Sequence, residues 1–142
     1  WTGLILSAMP EAKIIYTVRD ARATCWSIFK NYFSSKGNAF AHDLADVEHY
    51  QKMQRDLMGF FMAKYPGRIF ELNYEKLTEK QEQETRKLLD YVGLDGEQDC
   101  MDFHKNKRAV LTVSNTQVTQ RLYKNCSEAW RNYENNLSEF FL

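Results

Sequence analysis

The chain has 142 residues, enough to bury a core of its own, and 14% of them are aromatic, which excludes a disordered tail. Nineteen basic residues balance nineteen acidic ones, so there is no global positive field to draw a nucleic acid, and any anion site must be built locally. No apolar run reaches the length of a membrane span and no signal peptide is expected; Cys25, Cys100 and Cys126 lack the spacing of a metal or redox motif and read as reduced thiols of a cytoplasmic protein.

Residues 2–8 read as the end of an apolar helix that Pro10 stops. Residues 13–18 form a β-branched run whose near-continuous apolarity predicts a strand buried on both faces. From 21 to about 32 the period turns helical, with Ala23, Trp26, Phe29 and Phe33 three or four apart. Residues 34–38 read as a polar loop around Gly37. Asp43 is placed to cap a long helix, along which Leu44, Val47, Tyr50, Met53, Leu57, Phe60 and Phe61 recur to about Tyr65. The aromatic stripe Tyr50, Phe60, Phe61 and Tyr65 reads as core. Pro66-Gly67 ends this helix, and residues 68–73 are a second strand. Thr78 with Gln81 predicts a capping box for a helix that buries Leu88, Leu89 and Val92 and stops at Gly93. The charged stretch 79–86 reads as a solvated face. Residues 98 to about 104 suggest a short helix, and 105–125 lack a clear period. Ser127 is expected to cap a last short helix carrying Trp130 and Tyr133.

This alternation is an α/β order and implies parallel strands joined by right-handed crossovers. Two strands make a poor sheet. The chain also begins at Trp1, in what reads as the inside of an element. We therefore expect one domain over residues 1–142 that is the C-terminal part of a larger fold, with an exposed sheet edge through which a homo-oligomer could form.

The chemistry concentrates where the first strand empties into Val18-Arg19-Asp20-Ala21-Arg22 and a helix carrying Ser27 follows. An arginine at a strand end offers a fixed fork of donors, and the amides and dipole of the next helix add to it. Such an arrangement grips a phosphate. Arg19 and Asp20 could equally form a surface ion pair, and spacing alone leaves both readings open.

The run Pro10-Glu11-Ala12-Lys13-Ile14-Ile15, then Val18-Arg19-Asp20, then Cys25-Trp26-Ser27, resembles the sulfotransferases that use 3′-phosphoadenosine 5′-phosphosulfate (PAPS), in particular the bacterial branch related to tyrosylprotein sulfotransferases. In the same order come Ala39-Phe40-Ala41-His42-Asp43-Leu44, Tyr74-Glu75-Lys76-Leu77, Asp102-Phe103-His104, Arg108-Ala109-Val110, Ser114-x-x-Gln117-Val118 and Trp130-Arg131-x-Tyr133. The resemblance implies a partial three-layer parallel-sheet, P-loop-like fold, helix-rich with few strands. It implies that Arg19 and Ser27 hold the 3′-phosphate of an adenosine 3′,5′-bisphosphate-type nucleotide and that Tyr74 lies near the adenine. It further implies that Ser114 opens a segment wrapping the nucleotide and that Lys124 approaches the 3′-phosphate. Read without the resemblance, Tyr74 is a core tyrosine at a strand end, Ser27 an ordinary helix serine and Lys124 a solvated lysine.

The family's Gly-rich loop for the 5′-phosphosulfate has no counterpart: glycines 3, 37, 59, 67, 93 and 96 are scattered, and no G-x-x-x-x-G-K-[ST] run exists. The family's catalytic base lies upstream of Trp1, so no catalytic residue is assigned. Asn125 and Ala129 also depart from the family pattern. His42, His49 and His104 show no metal-ligand spacing, and no metal is expected. The expected function is that of a sulfotransferase-like chain carrying the 3′-phosphate half of the PAPS site. The alternatives are a truncated, non-catalytic nucleotide-binding or self-associating module, and a nucleoside or small-molecule kinase, against which the missing phosphate loop counts. The acceptor is not legible in the sequence.

Overall fold

The computed structural model describes residues 1–33, 36–96, 100–105, 122, 127–137 and 140. Helix α1 (Thr2–Ala8) leads into strand β1 (Ile14–Val18), and helix α2 (Ala21–Phe29) follows directly. A kinked 3-10 segment (Lys36–His42) connects to the long helix α3 (Leu44–Lys64), then to strand β2 (Ile69–Asn73). Helices α4 (Tyr74–Glu79) and α5 (Gln81–Val92) complete the first half. Short 3-10 turns (Phe103–Lys105 and Ala129–Tyr133) and helix α6 (Glu134–Leu137) lie toward the C-terminus. The chain is thus a helix-rich α/β fold around a small sheet.

The two strands pair in parallel, with Ile14 opposite Ile69 and Val18 opposite Asn73. Helix α3 is the spine on which two apolar clusters meet. Toward its C-terminal end, Met58 packs with Leu6 and Ile69, joined by Ile14, Tyr16, Phe61 and Tyr65. Toward its N-terminal end, Leu44 and Val47 pack with Ala23 and Cys25 of α2 and with Trp130 and Leu137. Burial pushes the Cys25 thiol up to about 11, so at neutral pH it is an inert core thiol rather than a nucleophile.

Local chemistry sets the element ends. Asp43 caps α3 by accepting from the amides of Ala45 (2.9 Å) and Asp46 (3.2 Å). Gly93 ends α5 in the left-handed region at φ 81°, which a side chain would resist. Gly3 lets α1 close on α3: a Cβ there would sit 2.6 Å from Cε1 of Phe61. The carbonyls that α1 leaves unpaired at its C-terminal end, and the loop after it, are gathered by one side chain. The guanidinium of Arg68, one residue before β2, donates to Leu6 O (3.2 Å), Met9 O (2.7 Å) and Ala12 O (2.9 and 3.1 Å). Arg68→Ala is therefore expected to cost about 2–3 kcal/mol in urea unfolding. Arg68→Lys should recover only part of it, because an ammonium cannot reproduce the fork; full stability in Arg68→Ala would mean the clamp holds nothing.

Several expectations need correcting. Strand β1 is not buried on both faces. Helix α5 lies over β2, where Tyr91 meets Phe70 with ring centroids 5.1 Å apart. Ile15, which shares that face by register, stays 45% exposed. Of the loop expected over 34–38, residues 36–38 open a kinked 3-10 segment that runs to His42, and 34–35 lie outside the described residues. Thr78 does not cap α5. Asn73 starts α4 earlier by accepting from the Lys76 amide, so Thr78 falls inside that helix and its hydroxyl donates to Glu75 O. The side chain of Gln81 instead reaches Met101 O (3.1 Å). In α5, Leu88, Leu89 and Val92 are only half-buried, whereas Glu84, expected on a solvated face, is buried and paired with Lys87 at 2.6 Å. The helix expected from 98 lies partly outside the described residues; its end is the 3-10 turn Phe103–Lys105.

Candidate functional site

The site forms where β1 stops. Asp20 adopts a non-helical backbone conformation (φ -43°, ψ 131°), and its carboxylate accepts from the Ala23 amide (2.8 Å), capping α2. One of its carboxylate oxygens is thereby engaged at the helix end. The guanidinium of Arg19 lies over the ring of Tyr74, 5.4 Å from its centroid, and its Nε donates to the Ser127 hydroxyl (3.1 Å). Ser127 in turn donates to Glu75 Oε1 (2.5 Å), and the same carboxylate oxygen accepts from the Asp20 amide (3.1 Å). One carboxylate thus ties the strand end, the start of α2, the first turn of α4 and the C-terminal segment together. Ser127 was expected to cap a helix. It is a link in this brace instead, and the 3-10 turn behind it has no side-chain cap.

Burial alone would raise the Glu75 carboxyl. The hydrogen bonds from Ser127 and the Asp20 amide, with the Arg19 charge, outweigh it and hold the group below its ordinary value of 4.5. A depressed carboxylate contributes stability that is present above that ordinary value and is lost as pH falls through the lowered one. Wild type should therefore exceed Glu75→Gln in urea midpoint at neutral pH, with the gap closing on acidification below 4.5. A gap that is constant with pH would show that the charge of Glu75 does not contribute.

Beside the brace, β1, α2 and α3 enclose a cleft of about 280 Å³ lined by Arg19, Thr24, Ser27, Gln51, Gln54 and Arg55, among others. Arg19 and Ser27, which the resemblance pairs, line the same cleft, and Ser27 is half-buried in its wall. Arg55 was not anticipated: it brings a second guanidinium from α3, and nothing in its helical context distinguishes it in the sequence. Arg55 also lines a larger cleft on the other side of α2, about 560 Å³, where Arg22, His49 and Lys52 are mixed with Glu48 and Asp56. Lys52 pairs with Asp56 there at 2.9 Å. Tyr74 is brought to Arg19 rather than to the core, at the first position of α4. Ser114 and Lys124 lie outside the described residues. Among the described residues, no group of three or more His, Cys, Asp or Glu is placed to hold a metal ion, and no helix is long and apolar enough to cross a membrane.

The arrangement brings two arginines and the hydroxyl residues Thr24 and Ser27 around one cleft of about 280 Å³, backed by a strand end and a capped helix. Comparison with known proteins assigns the chain to a family. A family model described as "Sulfotransferase family" matches residues 1–99, the segment that holds every cleft residue. The chain is 35% identical over 140 residues to an uncharacterised protein of Aquifex aeolicus, covering 97% of this chain and 18% of that protein. It is 25% identical over 126 residues to a Caenorhabditis briggsae protein named "Putative protein-tyrosine sulfotransferase", covering 88% of this chain and 44% of that one. The chain therefore spans less than half the length of either relative. With a family model matched over most of its length and the cleft residues inside the match, the chain belongs to the sulfotransferase family.

Proposed function

We propose that this chain carries the 3′-phosphate half of a PAPS site. The observation that carries the reading is the convergence of Arg19, Ser27 and Arg55 on one cleft at the end of β1. Arg19 and Arg55 neutralise the phosphate, Ser27 donates to it, and Tyr74, held under the Arg19 guanidinium, lies near the adenine. Ser114 and Lys124 complete the nucleotide site. These groups bind and position; they do not move protons. In the whole enzyme the sulfuryl group passes from PAPS to a hydroxyl or amine acceptor by in-line displacement, and the remote 3′-phosphate holds the reacting group in place. The name of the Caenorhabditis relative makes a tyrosine hydroxyl the first acceptor to try. The chain acts as the C-terminal part of one such domain, in the cytoplasm and without a metal, and by itself is expected to show no sulfuryl transfer.

Titration calorimetry with adenosine 3′,5′-bisphosphate and with ATP tests the reading. Preference for the bisphosphate supports it, while preference for ATP would favour a kinase-like site. Arg55→Ala should weaken bisphosphate binding about tenfold, the scale of one charged contact, with folding unchanged by circular dichroism. A second reading, a non-catalytic module that self-associates through its sheet, is favoured by the 45% exposure of Ile15 on the two-stranded sheet. It predicts dimerisation with no nucleotide binding at all.

A further inference from the structure

Helix α3 presents a face that the fold does not use. Tyr50, Met53, Leu57 and Phe60 are 49%, 50%, 54% and 56% exposed, whereas Leu44, Val47 and Met58 form the buried side. Spacings of three and four alternate through the four exposed residues, which is the seam of a heptad repeat. The same spacing continues outward to Asp46 at one end and Lys64 at the other, both exposed. Neither has an ion-pair partner among the described residues. Tyr50 is held in place by stacking on Phe40, with centroids 4.3 Å apart and planes 14° from parallel.

We infer that this face is the interface for a second copy of the same chain, with the two α3 helices antiparallel about a two-fold axis level with Arg55. The seam is self-complementary in that direction only. Antiparallel pairing sets Tyr50 against Phe60 of the second copy and Met53 against Leu57. At both ends it sets Asp46 against Lys64. Parallel pairing would oppose Asp46 to Asp46 and Lys64 to Lys64. Arg55 lies half a turn away from the seam, in the wall of the cleft, so pairing leaves the anion site open and does not depend on any nucleotide. From Asp46 to Lys64 the seam runs about 27 Å. A contact of that length falls short of the roughly 1,600 Å² of a standard interface, so the dimer is weak and concentration-dependent.

Sedimentation equilibrium of the purified chain, up to high micromolar concentration, tests this. A monomer–dimer equilibrium is expected. Leu57→Glu, at an exposed position that folding does not require, should weaken it at least about tenfold. Asp46→Lys should weaken it by opposing two lysines, and Asp46→Lys combined with Lys64→Asp should restore it, because the pair is then exchanged rather than lost. A chain that stays monomeric overturns the inference. So does a dimer indifferent to Leu57→Glu and to the charge exchange, which would assign association to another surface such as the sheet edge.

Discussion

Arg19→Ala is expected to abolish measurable binding of adenosine 3′,5′-bisphosphate. The guanidinium is fixed on two sides before any ligand arrives: Nε donates to Ser127 at 3.1 Å, and the plane rests on Tyr74, 5.4 Å away. A donor fork held in this way loses little conformational freedom on binding, so its removal costs close to the full value of a charged hydrogen bond, about 1.5–3 kcal/mol. That is about 10- to 150-fold in affinity. For a site that holds one end of a nucleotide, such a loss removes the calorimetric signal. Arg19→Lys should fall between, since an ammonium keeps the charge but not the fork. Because Arg19 also contributes to the brace, the variant is checked by circular dichroism and urea unfolding. Unchanged affinity in a folded Arg19→Ala protein would overturn the assignment of the cleft.

Trp130→Ala is expected to have the largest effect on stability. The indole is 6% exposed and belongs to the cluster of Ala23, Cys25, Leu44, Val47 and Leu137. The guanidinium groups of Arg22 and Arg131 lie 5.0 and 5.2 Å from its ring. It fastens the C-terminal segment, and with it Ser127, to the junction of α2 and α3. Truncation leaves a cavity lined by residues of three elements and should cost about 3–5 kcal/mol. For a chain of this length that lowers Tm by about 10–15 °C. Scanning calorimetry checks this, and Trp130→Phe should recover a large part. A Tm within a degree or two of wild type would mean that the C-terminal segment is not packed on the core.

What was legible in the sequence was local. The β-branched run at 13–18 and the segment after Pro66-Gly67 placed β1 and β2 to within one residue. The caps at Asp43 and Gly93 were readable because a cap is a contact between near neighbours. The Asp20 cap carries the same local signal, but an acidic residue next to Arg19 reads equally as an ion-pair partner. Contacts between distant residues left no such trace. Ser127 meets Glu75 across 52 positions and Arg19 across 108, so its hydroxyl looked like an ordinary helix cap. The long helix lies where its period places it, but its expected apolar stripe splits: Leu44, Val47, Phe61 and Tyr65 pack in the core, whereas Tyr50, Met53, Leu57 and Phe60 stay exposed. Its apolar residues fall on two neighbouring ridges, and the inward ridge carries Gln51 and Gln54. Gln54 accepts from the Tyr16 hydroxyl at 3.1 Å, and both glutamines line the anion cleft. Polar residues on the working face and large apolar ones on an outer ridge reverse the usual pattern. The first fits the proposed anion cleft, and the second the inferred interface between copies.

The decisive measurement is a pair of calorimetric titrations of this chain, one with adenosine 3′,5′-bisphosphate and one with adenosine 5′-monophosphate, which differ only in the 3′-phosphate. A cleft that reads that phosphate through Arg19, Ser27 and Arg55 will bind the first and leave the second without signal. Equal binding of the two nucleotides, or binding of neither, would contradict it.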